Sequence, residues 1–131
     1  MKDFSLQLYS LREVPTLRQR MEIAAQAGYT GVEFAGYDGI AGPEMRRLLA
    51  SLGLRGTGSH IAYDALRDDL DGCVRYCLEA GITSAACPGC EMNDRDQALA
   101  QAEFLEACAE RFGAEGIPFA YHNHAHEFAD A

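Results

Sequence analysis

The hydrophobic positions of the chain follow two alternating periods. Short runs with every second residue apolar, such as Phe4, Leu6 and Leu8, give way to stretches in which apolar residues recur every three or four positions. The second pattern predicts four helices. Their faces are Leu17, Met21, Ala24 and Ala25; Met45, Leu48, Leu49 and Leu52, opened by Pro43 at the first turn; Leu70, Cys73, Val74, Cys77 and Leu78; and Ala98, Ala102, Leu105, Ala109 and Phe112. The first pattern predicts five strands, at about 3–9, 31–35, 55–61, 83–87 and 119–124.

Four junctions punctuate this alternation. Each is a Gly followed by an apolar residue: Gly28-Tyr29, Gly53-Leu54, Gly81-Ile82 and Gly116-Ile117. Glycine suits the left-handed cap that stops a helix, and the apolar residue after it packs back on the last turn. The junctions are 25, 28 and 35 residues apart, the length of one strand, one helix and two short loops. The chain therefore reads βαβαβαβαβ, with parallel strands and right-handed crossovers.

Two architectures accommodate such an order: an open doubly wound sheet of flavodoxin type, and a piece of an eightfold barrel. A doubly wound sheet is covered by helices on both faces and reads apolar on both. Here Phe4, Leu6 and Leu8 oppose Ser5, Gln7 and Tyr9, while Phe119 and Tyr121 oppose Ala120, His122 and His124. One apolar and one polar face is the signature of a barrel wall, so the expected fold is α/β, a partial (β/α)8 barrel of about five parallel strands and four helices.

Composition narrows the context. At 131 residues the chain is one domain, 1–131, and its 48% hydrophobic and 24% charged content excludes a disordered segment. No apolar run approaches the roughly 20 residues that cross a bilayer, and the N-terminus lacks the apolar core of a signal peptide; the expectation is a cytoplasmic protein without membrane partners. The net charge of −9, with Arg46-Arg47 the one basic pair, argues against nucleic acid as a partner. Five cysteines leave a thiol unpaired, which suits a reducing compartment. Cys73 and Cys77 read as small core residues, whereas Cys87-Pro88-Gly89-Cys90 leaves open a thioredoxin-type redox pair or half of a zinc site.

The candidate chemistry sits at strand ends. The last strand runs into Tyr121-His122-Asn123-His124-Ala125-His126-Glu127-Phe128, where His122 and His124 project to one side and Glu127 follows. Imidazoles and a carboxylate together suit a divalent metal such as Mn, Co, Zn or Fe; a histidine-rich surface loop is the plainer alternative. His60 ends the third strand, with Gly56 and Gly58 expected on its own face, leaving room beside the ring. A packed structural histidine is its alternative reading. Glu33, flanked by Val32 and Phe34, aims opposite to both, and a carboxylate directed into a barrel needs a partner or a role.

The segments Leu6-Gln7-Leu8-Tyr9-Ser10-Leu11-Arg12, Gly31-Val32-Glu33-Phe34-Ala35-Gly36-Tyr37, Gly58-Ser59-His60 and the histidine-rich run at 121–128 together resemble the xylose-isomerase-like TIM-barrel superfamily, in its sugar phosphate isomerase/epimerase branch. The resemblance implies a divalent metal (Mg being a further candidate) at the C-terminal mouth of the barrel. It also implies a sugar or polyol substrate and proton transfer next to a carbonyl. Carried over, it assigns His122 and Glu127 as metal ligands and His60, Glu33 and His124 as catalytic groups. Strand five of the family usually contributes a Glu, where this chain has His122. The superfamily also contains abasic-site endonucleases, a branch that the acidic net charge disfavours. A complete barrel takes about 250 residues, so the expectation is a truncated barrel, completed by further strands or by a partner chain. A homo-oligomer follows from its two sheet edges, and a noncatalytic, self-associating barrel fragment is the competing function.

Overall fold

The computed structural model describes residues 3–128, apart from the side chains of His126 and Phe128. Five strands, β1 (Ser5–Gln7), β2 (Gly31–Ala35), β3 (Arg55–His60), β4 (Ala85–Cys87) and β5 (Phe119–Tyr121), form one parallel sheet in the order β1-β2-β3-β4-β5. Each strand pairs with the next in sequence, as barrel strands do. A flavodoxin-type sheet places its first strand between the second and third, so the order excludes that alternative.

Five α-helices alternate with the strands: α1 (Leu17–Gln26), α2 (Gly42–Ser51), α3 (Tyr63–Asp68), α4 (Leu70–Ala80) and α5 (Arg95–Gly113). Short 3-10 turns occupy Leu8–Leu11 and Ala125–Phe128. The four expected helices are present. The additional α3 is only six residues long, too short for a hydrophobic period to declare itself, and it buries Leu66 alone.

The glycine junctions close as their chemistry requires. Gly28, Gly53, Gly81 and Gly116 have φ of 87°, 67°, 76° and 75°. The N–H of the following apolar residue donates back into the helix at each one: Tyr29 to Ala24 O, Leu54 to Leu49 O, Ile82 to Cys77 O and Ile117 to Phe112 O, at 2.9–3.1 Å. These are Schellman closures. At their other ends, Thr16, Asp69 and Asp94 accept the backbone N–H of Gln19, Gly72 and Gln97 as N-caps of α1, α4 and α5. Asp38, at φ 49°, adds a second acceptor to α1 through the Leu17 N–H at 2.8 Å.

The core lies between helices and sheet. Leu17, Met21, Met45, Leu49, Val74, Cys77, Leu105 and Phe112 from the helices meet Val32, Phe34, Ala85 and Cys87 from the strands in one continuous cluster. Several apolar assignments shift. Leu78 is exposed, Cys73 is half-buried, and the buried face of α5 runs through Leu105, Cys108 and Phe112, with Ala102 in solvent. Alanine fits either side of a helix, so an alanine-rich period leaves the phase undetermined until bulky residues find their partners. Phe4, expected beside Leu6, lies just before edge strand β1 and is 61% exposed. The strand ends also retreat, β1 to three residues and β5 to Tyr121.

The pairing of β2 with β3 is irregular. Val32 faces Gly56, but Glu33 faces Gly58, so Thr57 is the extra residue. Gly56 thereby lies on the helix side, where an added Cβ would come within 3.4 Å of Ile82, Leu49 and Phe34. Gly58 stays on the opposite side, beside Glu33. The expectation that both glycines flank His60 is corrected by this bulge. The fully buried Phe34 anchors the same segment. Phe34→Ala is expected to cost about 3–5 kcal/mol, the range for emptying a core aromatic site, measured as a lowered urea midpoint with unchanged slope.

Candidate active site

Parallel pairing in strand order places the C-terminal ends of all five strands at one mouth. Gln7, Glu33 and Gly58 occupy one register level on the face away from the helices; His60 lies one level higher, paired with Ala35 and Ala86. Gly58, Ala86 and Ala120 are small, and the space they leave is taken by larger side chains.

Gln7 Nε2 donates to Glu33 Oε1 at 2.6 Å and lies 3.3 Å from His60 Nε2. His60 Nε2 is in turn 3.4 Å from Glu33 Oε1. A carboxylate, an amide and an imidazole thus meet within hydrogen-bond reach. The His60 side chain is 14% exposed and that of Glu33 34%. The His122 ring packs edge-on against His60 at 4.8 Å between centroids, and His124 lies 4.8 Å beyond it. His122 extends the sheet by one further bond, from its N–H to Cys87 O at 2.9 Å. Burial lowers the pKa of His60, and His122 and His124 add to that effect; Glu33 acts in the opposite direction.

A cleft of about 660 Å3 opens beside this set, with Glu33 reaching it through its partners Gln7 and His60. Gln7, His60, His122 and His124 form its polar side, while Tyr9, Tyr37, Ile61 and Pro88 contribute to an apolar one. Tyr37 is fixed from behind: its hydroxyl pairs with buried Ser59 at 2.7 Å and its ring stacks on Tyr76 at 3.9 Å. Gln7, Tyr37 and Ser59 carried no assigned role in the sequence. The signal for Gln7 was its place on the polar face of the first strand, and the register opposite Glu33 supplies the rest.

Glu33, His60, His122 and His124 are brought together. Glu127 accepts the Tyr121 hydroxyl and, at 3.0 Å, the His124 backbone N–H. Among the described residues no group of three or more His, Cys, Asp or Glu side chains is arranged to hold a metal ion. The described side chains do not by themselves fit a resident metal. Cys87 and Cys90 are free thiols. Burial raises the pKa of both, opposite to the acidic thiol of a redox pair.

No protein-family model and no curated protein matches the sequence. Solved structures do match the fold. A sugar phosphate isomerase/epimerase from Parabacteroides distasonis superposes with a TM-score of 0.80 at 24% identity, over 97% of this chain and 53% of that one. An AP endonuclease of family 2 from Brucella melitensis gives 0.74 at 22% identity, over 92% and 55%. The IOLI protein, solved with a bound zinc atom, gives 0.69 at 11% identity, over 92% and 51%. The fold therefore matches that of these solved TIM barrels. More narrowly, the chain spans about half the length of the structures it matches, five parallel strands of such a barrel with their helices. Among the described residues no helix is long and apolar enough to cross a membrane.

The lowered pKa of His60 has a consequence for stability. The unfolded chain takes up the histidine proton near pH 6.5, the folded chain only at lower pH. The contribution of neutral His60 is thus complete above pH 6.5 and is lost as the pH falls through the folded-state value. His60→Gln is expected to flatten the fall of Tm between pH 7 and pH 5. NMR titration of the wild-type ring should give a midpoint below 6.5, and an unshifted midpoint would contradict the burial argument.

Proposed function

We propose that the chain carries the acid/base part of a sugar or polyol isomerase or epimerase site. The observation that supports this reading most directly is the Gln7–Glu33–His60 set, hydrogen-bonded at the cleft and flanked by His122 and His124. Isomerisation and epimerisation next to a carbonyl need a base to remove a carbon-bound proton and a donor for the oxygen that gains electron density. Glu33 is the base, and returns the proton on the same face to the neighbouring carbon in isomerisation; in epimerisation a second acid on the opposite face supplies the proton instead. His60 donates to the oxygen as the enediol forms. Gln7 orients the Glu33 carboxylate, and His124 at the rim exchanges protons between the cleft and water.

No step is assigned to a metal. His122 packs on His60 and Glu127 on Tyr121, so a divalent ion would need ligands beyond those gathered here. A duplex nucleic acid is a poor substrate for a surface of net charge −9. A small uncharged polyhydroxylated molecule fits both the charge and the mixed polar and apolar walls.

The test is exchange of the substrate's carbon-bound proton with solvent. A panel of aldoses, ketoses and inososes in D2O is expected to show deuterium incorporation next to a carbonyl. Glu33→Gln and His60→Gln should each slow it by about 10²–10⁴-fold. Exchange that persists in both variants would remove them from the chemistry.

Assembly is the second part of the proposal. Strands β1 and β5 end the sheet order, and unpaired parallel edges favour association. The noncatalytic, self-associating fragment draws on the same observation. The chain is expected to form a homodimer or larger assembly through these edges or the polar barrel face. Light scattering across a dilution series checks this: a 14.3 kDa species at every concentration would mean that the edges stay unpaired.

A further inference from the structure

Beside the histidine cleft lies a second concavity of about 680 Å3, and the two share Ala62 and Pro88 as a common wall. It lies between α3 and the loop joining β4 to α5, and none of the groups assigned to proton transfer lines it. We infer that it is a second sugar subsite, so that the cleft takes a substrate of two linked rings, a disaccharide or a glycoside with a cyclic aglycone. The inference rests on the carbohydrate reading proposed above and deepens it.

The chemistry of the wall is that of a neutral polyhydroxylated ring. Tyr63 offers an aromatic surface, and its orientation is set by Phe104 of α5, edge-on at 5.0 Å and 63°. The C–H-rich face of a sugar ring packs on such a surface while its rim hydroxyls both donate and accept. Around it stand Asp64 and Glu91 as acceptors and Arg67 and Gln101 as donors. The charge of Arg67 is answered by Asp64 at 2.8 Å and Asp68 at 2.9 Å. With Glu91 added, this wall is not cationic, which disfavours a phosphate and suits an uncharged ring.

The loop is held in place from two sides. Gln101 Nε2 donates to the Glu91 carbonyl at 3.4 Å, and the Cys90 N–H donates to the Tyr121 hydroxyl at 3.4 Å. Tyr121 also donates to Glu127. The carboxylate expected as a metal ligand thus helps to build the floor of this loop. Ala62 and Pro88 separate the two spaces with small or rigid side chains, so a glycosidic link can cross between them.

The experiment is an NMR and calorimetric titration of the whole chain with one-ring probes, D-xylose and myo-inositol, and two-ring probes, maltose and cellobiose. A two-ring sugar is expected to bind at least tenfold more tightly than a one-ring sugar and to shift the resonances of both His60 and Gln101. Gln101→Ala and Glu91→Gln should bring two-ring affinity down to the one-ring level, with one-ring affinity unchanged within twofold. If one-ring sugars shift His60 and two-ring sugars bind no more tightly, the second subsite is overturned while the proposed function stands. Tighter two-ring binding that both variants leave intact overturns it as well. If neither kind of sugar shifts His60 or Gln101, both readings fall together.

Discussion

At four points the chain leaves a helix through a left-handed glycine, and the next residue's N–H turns back to a carbonyl five positions earlier. That closure satisfies helix-end carbonyls that would otherwise be orphaned beneath the sheet. It also buries the residue after the glycine: Leu54, Ile82 and Ile117 are each at most 5% exposed. The chain then enters the sheet almost at once, as Arg55 N–H bonds Thr30 O and Thr83 N–H bonds Gly56 O. Each helix end is thereby tied to the start of a strand, and repeated use of one short connection keeps every strand parallel and next to its predecessor. The remainder of the architecture depends on this constraint.

The site follows from it. Parallel strands in sequential order bring their C-terminal ends to one mouth, so residues as distant as Gln7 and His122 border one cleft. The irregularity at Thr57 then matters more than its size suggests. It leaves Gly56 to the helix side, where an added Cβ would crowd Ile82 at 3.1 Å, and keeps Gly58 beside Glu33. An added Cβ at Gly58 would lie 3.0 Å from Glu33 Oε2. The bulge therefore lets one strand serve a tight helix contact and an open carboxylate on opposite faces.

Polar satisfaction is thorough around the cleft. Among the described residues no buried side-chain nitrogen or oxygen lacks a partner. Ser59, buried within the sheet, is answered by Tyr37, and Tyr76 by the Ile40 carbonyl. The apolar wall is rigid for that reason, since Tyr37 is both stacked and hydrogen-bonded. Burial raises the Tyr76 pKa to about 12, so its hydroxyl stays a donor across the working pH range.

The repeating βα order, the glycine stops and the polar inner face were legible in the sequence because each rests on local chemistry: a period, a cap, an alternation. Glu33, His60, His122 and His124 were legible too, as titratable residues where strands end. The phase of α5 was not, since alanines carry no preference between faces, and α3 was too short to show a period. Which candidates would meet was also beyond local rules. Glu127 follows His122 by five residues, yet the short turn after β5 gives its carboxylate to Tyr121 and the His124 backbone. Gln7 reaches Glu33 across a strand pair separated by 26 residues. Sequence determined the elements and the chemical groups available, because those depend on neighbours along the chain. The tertiary structure alone decided which groups share a hydrogen bond, because register, bulges and loop closure set distances between residues remote in sequence.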